Sequence, residues 1–333
     1  MRFSKASVLA IAANTIHAQR PEGTSICDFY TTALLKDNTA DNQATLLTLV
    51  VNTVVIGNYT QPNVGVAVSG ILAPGQYNGT DVNLLPYFTG EFASSNRGDD
   101  HGVSVNFLDD GGAEPLKNNK PANTQSSSQY FLLTHLYQFF GSLLGCSKQG
   151  MPGFDPYNGH ASMYEVHKFM ALDPYEVGYF ITQVGLAASS FGVADADVQA
   201  VGAALVSLFD YRCSPPATVI KSQGAQLQSI CISETCPLAE EAVCGKYEPV
   251  VEPSTVSSSD SLSATTTTTG QYSTRSPWTT SAPAGPGGST TTTIPSNANT
   301  TTSSSTSVIP TAGAATNGLG LVAAVGGIAA FLL

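Results

Sequence analysis

The chain has 333 residues, of which 42% are hydrophobic and 11% are charged, and its formal net charge is −11. This acidic balance argues against nucleic acid and against an anionic membrane surface as partners. The length exceeds what one domain needs, and changes in composition divide the chain into a leader, a folded part, a stalk and a tail.

Residues 1–18 have the order of a secretory signal peptide. Arg2 and Lys5 precede an apolar run at residues 8–13, and the small residue Ala18 offers a cleavage site. The run is too short to span a bilayer. A buried first helix is the alternative, but a charged start followed by an apolar run favours the signal peptide.

Residues 19–247 are predicted to fold as one domain with a sizeable core. The first strong element is a helix over residues 44–57, where Asp41 and Asn42 can cap the start. Its apolar residues surround the helix axis almost completely, which predicts a helix buried on nearly every side.

Residues 58–125 are rich in Gly, Asn, Asp and Pro, which predicts a loop-rich insertion. Alternation over residues 103–108 predicts one short strand there. Acidic residues of this region could bind calcium, but they lack the spacing of a calcium loop. Three Asn-x-Thr sequons are candidate glycosylation sites: Asn58, Asn78 and Asn299.

Two helices follow around a Gly- and Pro-rich connection. Residues 129–144 carry a broad apolar face and predict a helix that ends at Gly145. Residues 162–170 predict a short helix, in which Ser162 and Glu165 have the spacing of a capping box.

The next two helices complete the helical part. Asp173 caps the first of them, Pro174 occupies its first turn, and the apolar pattern continues to Gly192. Asp195 begins the second, which is predicted to end near residue 213.

Six cysteines fall inside the predicted domain. They are Cys27, Cys146, Cys213, Cys231, Cys236 and Cys244. An even number in a secreted chain predicts disulfides, with the pairing left open; a zinc site is the alternative, but no Cys-x-x-Cys pair supports it. Residues 214–247 are expected to wrap the helices irregularly, with Cys146 or Cys27 tying this extension to the helical core.

The C-terminal end predicts attachment to a surface. Residues 248–312 are Ser-, Thr- and Pro-rich, which is typical of a disordered, glycosylated stalk. Residues 313–333 combine small residues with an apolar tail, as in a GPI-anchor signal with Gly313 or Asn317 as the attachment residue. A short tail anchor is the alternative. The expected location is outside the cell, anchored by GPI to the plasma membrane or the cell wall.

His167 is the residue with the clearest chemical potential. A neutral imidazole on a short helix, facing aromatic residues, can ligate haem iron. Taken alone, a single histidine on an apolar face is more often an ordinary core or surface residue.

From residue 129 to residue 212 the chain resembles the truncated haemoglobins, the shortened two-over-two globins. In chain order, the matching motifs are Phe139-Phe140, Gly145, Tyr157-Asn158-Gly159, Met163-Tyr164-Glu165-Val166-His167 and Gly192-Val193. The resemblance implies a haem cofactor with His167 as the axial ligand, and it places Phe139 and Phe140 near the haem face.

The N-terminal third departs from this family. Residues 84–90, with Phe88, look like the family's corner motif, but Thr53 and Val54 stand where a phenylalanine–tyrosine pair is usual. His135 and Gln138 are then the polar candidates for the side of the haem opposite His167, and His135 could take the sixth coordination position.

The sequence therefore predicts a mainly α, globin-like domain with loop-rich insertions and a disulfide-rich C-terminal extension, followed by a disordered stalk. The expected function is haem binding at the cell surface, with a diatomic gas or peroxide as the small ligand. The alternative is a non-enzymatic surface or cell-wall protein whose globin-like domain holds no haem, since a fold does not determine a function.

Overall fold

The computed structural model describes residues 20–60 and 64–256. The α-helices are α1 Ile26–Leu35, α2 Ala40–Ile56, α3 Leu85–Thr89, α4 Ala113–Lys117, α5 Ser128–Leu143, α6 Met163–His167, α7 Pro174–Ser190 and α8 Asp195–Phe209. The strands are β1 Gly75–Tyr77, β2 Thr80–Val82, β3 Phe92–Ala93, β4 Ser95–Gly98, β5 His101–Val103 and β6 Ser254–Thr255. The mainly α fold class is thus confirmed.

The core is built from two packed helix pairs. Helix α2 packs against α5, α7 packs against α8, and α2 also contacts α7, which joins the pairs. Leu47, Leu133, Val177 and Leu205, one from each of these helices, have almost no accessible surface. Burial of such side chains is the main force that holds the pairs together.

The helix starts are set by local capping. The helix predicted over residues 44–57 begins four residues earlier, because the cap is Thr39 rather than Asp41 or Asn42: its hydroxyl accepts from the backbone N–H of Asn42, in the first turn, at 3.2 Å. Helix α5 starts after Ser127, whose hydroxyl accepts from the N–H of Tyr130. Sequence reasoning therefore found these helices, but it began α2 four residues late, began α5 one residue late and extended both by one residue at the end.

Helix α7 begins as predicted. The Asp173 carboxylate accepts from the backbone N–H of Glu176 at 2.8 Å, and the Glu176 carboxylate accepts from the N–H of Asp173 at 3.1 Å. This reciprocal capping box satisfies backbone donors that would otherwise have no partner. Helix α8 ends at Phe209, a few residues before the predicted end near residue 213.

The insertion forms two small hairpins. Strands β1 and β2 pair through an Asn78–Gly79 turn, in which both residues have positive φ, and β4 pairs with β5. The strand predicted over residues 103–108 is wrong beyond Val103. The chain instead bends inward, because the N–H of Phe107 donates to the carbonyl of Phe88 at 2.7 Å.

All six cysteines form disulfides, as predicted. The pairs are Cys27–Cys146, Cys213–Cys244 and Cys231–Cys236. The expectation that Cys146 or Cys27 ties the extension to the core is wrong, because these two join each other and fasten α1 to the end of α5. Backbone bonds hold the extension instead: Ile230 and Cys231 both donate to the carbonyl of Phe209.

The folded unit continues past residue 247, where the stalk was predicted to begin. The N–H of Glu248 donates to the hydroxyl of Tyr164 at 2.8 Å, and the Glu248 carboxylate lies 3.1 Å from Lys168. Strand β6 then pairs antiparallel with β3. The stalk-like composition therefore begins several residues before the last contact with the domain.

The predicted signal peptide, the stalk beyond residue 256, Asn299, and the anchor signal with Gly313 or Asn317 lie outside the described residues. Within residues 20–60 and 64–256, none of the helices has the length and apolar character needed to cross a membrane. Asn58 and Asn78 are both exposed.

Candidate functional site

A cavity of about 270 Å³ lies between the helix pairs and the short helix α6. Its wall combines aliphatic and aromatic side chains from α2, α3, α5, α6, α7 and α8 with a few polar groups from β4. Four of the residues predicted to contact haem line it: Phe88, Phe139, Phe140 and His167. Small-molecule sites are typically apolar concavities of this kind, with a few placed polar groups.

His167 is the last residue of α6, and its imidazole has a fixed tautomer. Nδ1 lies 2.7 Å from the backbone carbonyl oxygen of Met163. A carbonyl can only accept, so Nδ1 carries the proton and Nε2 keeps the lone pair. Nε2 has no hydrogen-bond partner among the described residues, and burial lowers the pKa of His167. The ring is therefore neutral and has one nitrogen available to a metal.

Helix α6 is short, and a hydrogen bond to the C-terminal extension holds its start. The Ser162 hydroxyl accepts from the N–H of Glu165 at 3.2 Å and donates to the carbonyl of Leu227 at 2.7 Å. The second half of the predicted capping box is absent: the N–H of Ser162 donates to His160 Nδ1, and the Glu165 carboxylate pairs with Lys168 instead. The C-terminal extension thus anchors the helix that carries His167.

The wall contributed by α2 and α5 is entirely apolar. Helix α2 presents Val51, Val54 and Val55 to the cavity. From α5 come Phe131, Leu132, Leu136, Phe139 and Phe140. No hydrogen-bond donor from either helix is therefore among the lining side chains. Thr53 is buried, and its hydroxyl donates to the carbonyl of Leu49 at 2.9 Å within its own helix.

His135 and Gln138 do not line the cavity, which corrects the expectation that they face it. The α-helix turns by about 100° per residue, so His135 is rotated by about that angle from Leu136, and Gln138 by about 200° from Phe140. The His135 ring stacks on Phe131 at 4.0 Å, and its Nδ1 donates to the Phe131 carbonyl at 2.6 Å. Gln138 Oε1 is buried without a hydrogen-bond partner.

A polar pair that the sequence did not predict, buried Tyr87 and half-buried Glu176, lines the cavity near the start of α7. The Tyr87 hydroxyl donates to Glu176 Oε1 at 3.0 Å and also approaches the carbonyl of Met170 at 3.2 Å. Burial raises the pKa of both Glu176 and Tyr87. The Asp-Pro-x-Glu start of α7 signals a cap but gives no sign that the same glutamate lines a cavity.

The cavity reaches the surface beside β4, where Arg97 is exposed and Phe131 is 49% exposed. The Arg97 guanidinium lies 4.8 Å from the centre of the Phe131 ring and 5.3 Å from that of Phe107. Its Nη1 donates to the hydroxyl of Ser128 at 2.9 Å. Sequence reasoning missed this residue, because Arg97 stands in an insertion with no recognisable motif.

The acidic residues weighed as calcium ligands have local partners. Asp109 accepts from the backbone N–H groups of Ser128 and Gln129 at the start of α5, both at 3.0 Å. Asp110 accepts from Thr124, and Glu114 pairs with Lys117. In the part of the chain that the structure describes, no group of three or more His, Cys, Asp or Glu could hold a metal ion.

A porphyrin brings four nitrogen ligands to its iron, so the protein needs to add only one, and the neutral imidazole of His167 is of the right type. The aromatic wall suits a flat apolar ring system.

Comparison with family models, curated proteins and solved structures found no match to this chain.

Proposed function

We propose that the domain is globin-like and that its cavity binds haem, with Nε2 of His167 as the axial ligand of the iron. The observation that carries the proposal is the state of this imidazole. It lines an aromatic cavity, is neutral, and donates from Nδ1 to the Met163 carbonyl. A hydrogen bond of this kind fixes the orientation of a metal-bound histidine and increases its basicity.

The arrangement of the helices supports the same proposal. Helices α5 and α6, which carry Phe139, Phe140 and His167, flank the cavity, and the pairs α2–α5 and α7–α8 enclose it. Gly145 and Gly192, two of the glycines in the resemblance, both have positive φ and stand two residues after the last residue of α5 and of α7. They occur where each helix must end and the chain must turn.

The size of the cavity sets how a haem would fit. The cavity volume of about 270 Å³ lies just below the usual range of small-molecule sites, about 300–1,000 Å³, so the outer edge of the macrocycle would extend to the opening beside Arg97. Bound haem supplies an iron that can take up a diatomic gas or react with peroxide. The chain's own residues hold the ring through His167 and exclude water with the apolar wall of α2 and α5.

We further propose that this domain works outside the cell, anchored through a GPI-modified C-terminus. Three disulfides in the described part of the chain are compatible with an oxidising compartment. The signal-like start and the apolar end of the sequence motivate the rest. Release of the protein from intact cells by a phosphatidylinositol-specific phospholipase tests the anchor, and a mature protein that retains residues 331–333 would rule it out.

Reconstitution with haemin tests the haem site. The wild-type protein should give a Soret band with one haem per chain, and His167→Ala should abolish stable binding. Helix content should persist, because alanine is a better helix former than histidine and α6 is anchored through Ser162. His160→Ala is the matched control: it removes an exposed imidazole of the same segment that does not line the cavity, together with its hydrogen bond from the Ser162 N–H. It should leave the Soret band in place, which separates loss of the ligand from a change at the start of α6.

Two outcomes contradict the proposal. Equal haem uptake by the wild type and His167→Ala would reject His167 as the ligand. No uptake by a wild-type protein with full helical circular dichroism would favour the alternative function, a surface protein with a haem-free scaffold.

A further inference from the structure

We propose that Arg97 binds the carboxylate at the outer edge of the cavity's ligand, and that the β4–β5 hairpin acts as an anion-binding strap across the mouth of the cavity. This inference rests on the haem site proposed above and concerns how its ligand is oriented. Neither Arg97 nor the hairpin belongs to the part of the chain that resembles a globin.

Arg97 lines the cavity and has no acidic partner among the described residues. Among the described residues that line the cavity it is the only Lys or Arg. None of the carboxylates in residues 20–60 and 64–256 forms an ion pair with it, whereas Arg20 pairs with Asp197 at 2.8 Å and Lys168 pairs with both Glu165 and Glu248 at 3.1 Å. Glu176, the acidic residue of the lining, is already bonded to Tyr87 and to the start of α7.

The Arg97 guanidinium is held in position and still has N–H donors free for a ligand. The rings of Phe131 and Phe107 lie next to it, and one hydrogen bond to Ser128 fixes one end. Arginine has five N–H donors in a planar fork that matches a carboxylate, so most of its donors remain for a ligand. Aromatic stacking of this kind orders the side chain before the ligand arrives, which reduces the entropy lost on binding.

The hairpin spans the mouth between two helices that flank the cavity. On one side, Asn96 Nδ2 donates to the carbonyl of Glu165 in α6 at 3.1 Å. On the other, Arg97 reaches Ser128 and Phe131 of α5. A ligand inserted between α5 and α6 would therefore leave through the opening that Arg97 crosses.

The chemistry of the wall decides which end of the ligand faces Arg97. Placing a carboxylate against the apolar residues of α2 and α5 would cost several kcal/mol of lost hydration, so an amphipathic ligand should enter with its apolar part first. The inferred class is a flat apolar ring with carboxylates along one edge, which describes haem and its two propionates. Arg97 also offsets, locally, the repulsion of an anionic ligand by a chain whose net charge is −11.

The test uses metal-free protoporphyrin IX and its dimethyl ester as probes, titrated by fluorescence at low and high salt. The variants are Arg97→Gln and Arg97→Lys. Lys120→Gln is the control, since Lys120 is exposed, has no ion pair among the described residues and does not line the cavity. Arg97→Gln should weaken binding of the diacid about fivefold to tenfold and leave the diester unchanged.

The affinity of Arg97→Lys for the diacid should lie between those of the wild type and Arg97→Gln, because lysine keeps the charge but lacks the planar fork of donors. Binding of the diacid to the wild type should weaken with added salt, and Arg97→Gln should remove most of that dependence. Lys120→Gln should match the wild type for both probes.

Equal affinity of the wild type for diacid and diester would overturn the inference, and this comparison needs no folded variant. An equal loss for both probes in Arg97→Gln would also overturn it, because it would indicate a packing effect. If haemin gives a Soret band that depends on His167 while Arg97→Gln changes nothing, only the inference about Arg97 fails. If the wild type binds neither haemin nor the metal-free porphyrin, the haem proposal fails as well.

Discussion

The three disulfides should contribute to stability in the order of the chain length that each one closes. The sequence separations are 119 residues for Cys27–Cys146, 31 for Cys213–Cys244 and 5 for Cys231–Cys236. In the loop-entropy model, a cross-link lowers the conformational entropy of the unfolded chain by a constant plus an amount proportional to the logarithm of the loop length. The expected losses in unfolding free energy are about 5, about 4 and about 2 kcal/mol.

Each disulfide is removed in a separate double Cys→Ala variant, with the other two left intact. Alanine is chosen because Cys27 and Cys231 are almost fully buried, and a serine hydroxyl there would add a desolvation cost. Guanidinium unfolding, followed by circular dichroism under non-reducing conditions, gives the free energies. The difference between the 119- and 31-residue loops, about 1.2 kcal/mol, is more secure than either absolute value, because the constant part of the model cancels.

The ordering would be refuted if removing Cys231–Cys236 cost as much as removing Cys27–Cys146. Domains of this kind are stable by only about 5–15 kcal/mol, so the Cys27→Ala/Cys146→Ala variant could unfold without denaturant, which agrees with the largest expected loss. In that event the other two variants still compare a 31-residue loop with a 5-residue loop.

Two other substitutions give sharp expectations. Burial raises the pKa of Asp210 to about 7, and its Oδ1 has no hydrogen-bond partner. Below about pH 4 the Asp210 carboxyl is protonated in both the folded and the unfolded state. As the pH rises to about 7, this carboxyl ionises only in the unfolded state, so the folded state loses stability across that window. Asp210→Asn should therefore raise the unfolding free energy by about 1–3 kcal/mol at pH 8 and much less at pH 4, with a pH-independent gain counting against this reasoning. His135→Ala should leave the Soret maximum and the coordination state of haem-loaded protein unchanged, since His135 lies outside the cavity; a change from six to five coordination would contradict that placement.

Sequence reasoning located α2, α5, α6, α7 and α8 and the candidate ligand because these depend on local signals, but it did not predict α1, α3 or α4. Repeats of apolar residues every three or four positions indicated α2, α5, α7 and α8, and Asp173 with Pro174 indicated the start of α7. Such signals operate within about one helical turn, so they survive without knowledge of the rest of the fold. They were less reliable for which side chains of a helix face the cavity: His135 and Gln138 were predicted to face the haem, but neither lines the cavity in the structure.

Only the tertiary structure decided which distant residues meet. Cys27 and Cys146 are 119 residues apart, and fifteen pairings of six cysteines were open from the sequence. Arg97 and Glu176 line the same cavity, although one stands in an irregular insertion and the other reads as a helix cap. Their positions depend on how the β4–β5 hairpin packs on α6 and on the hydrogen bond from Tyr87 to α7. Such contacts join segments that are far apart in the chain, so no local sequence pattern predicts them.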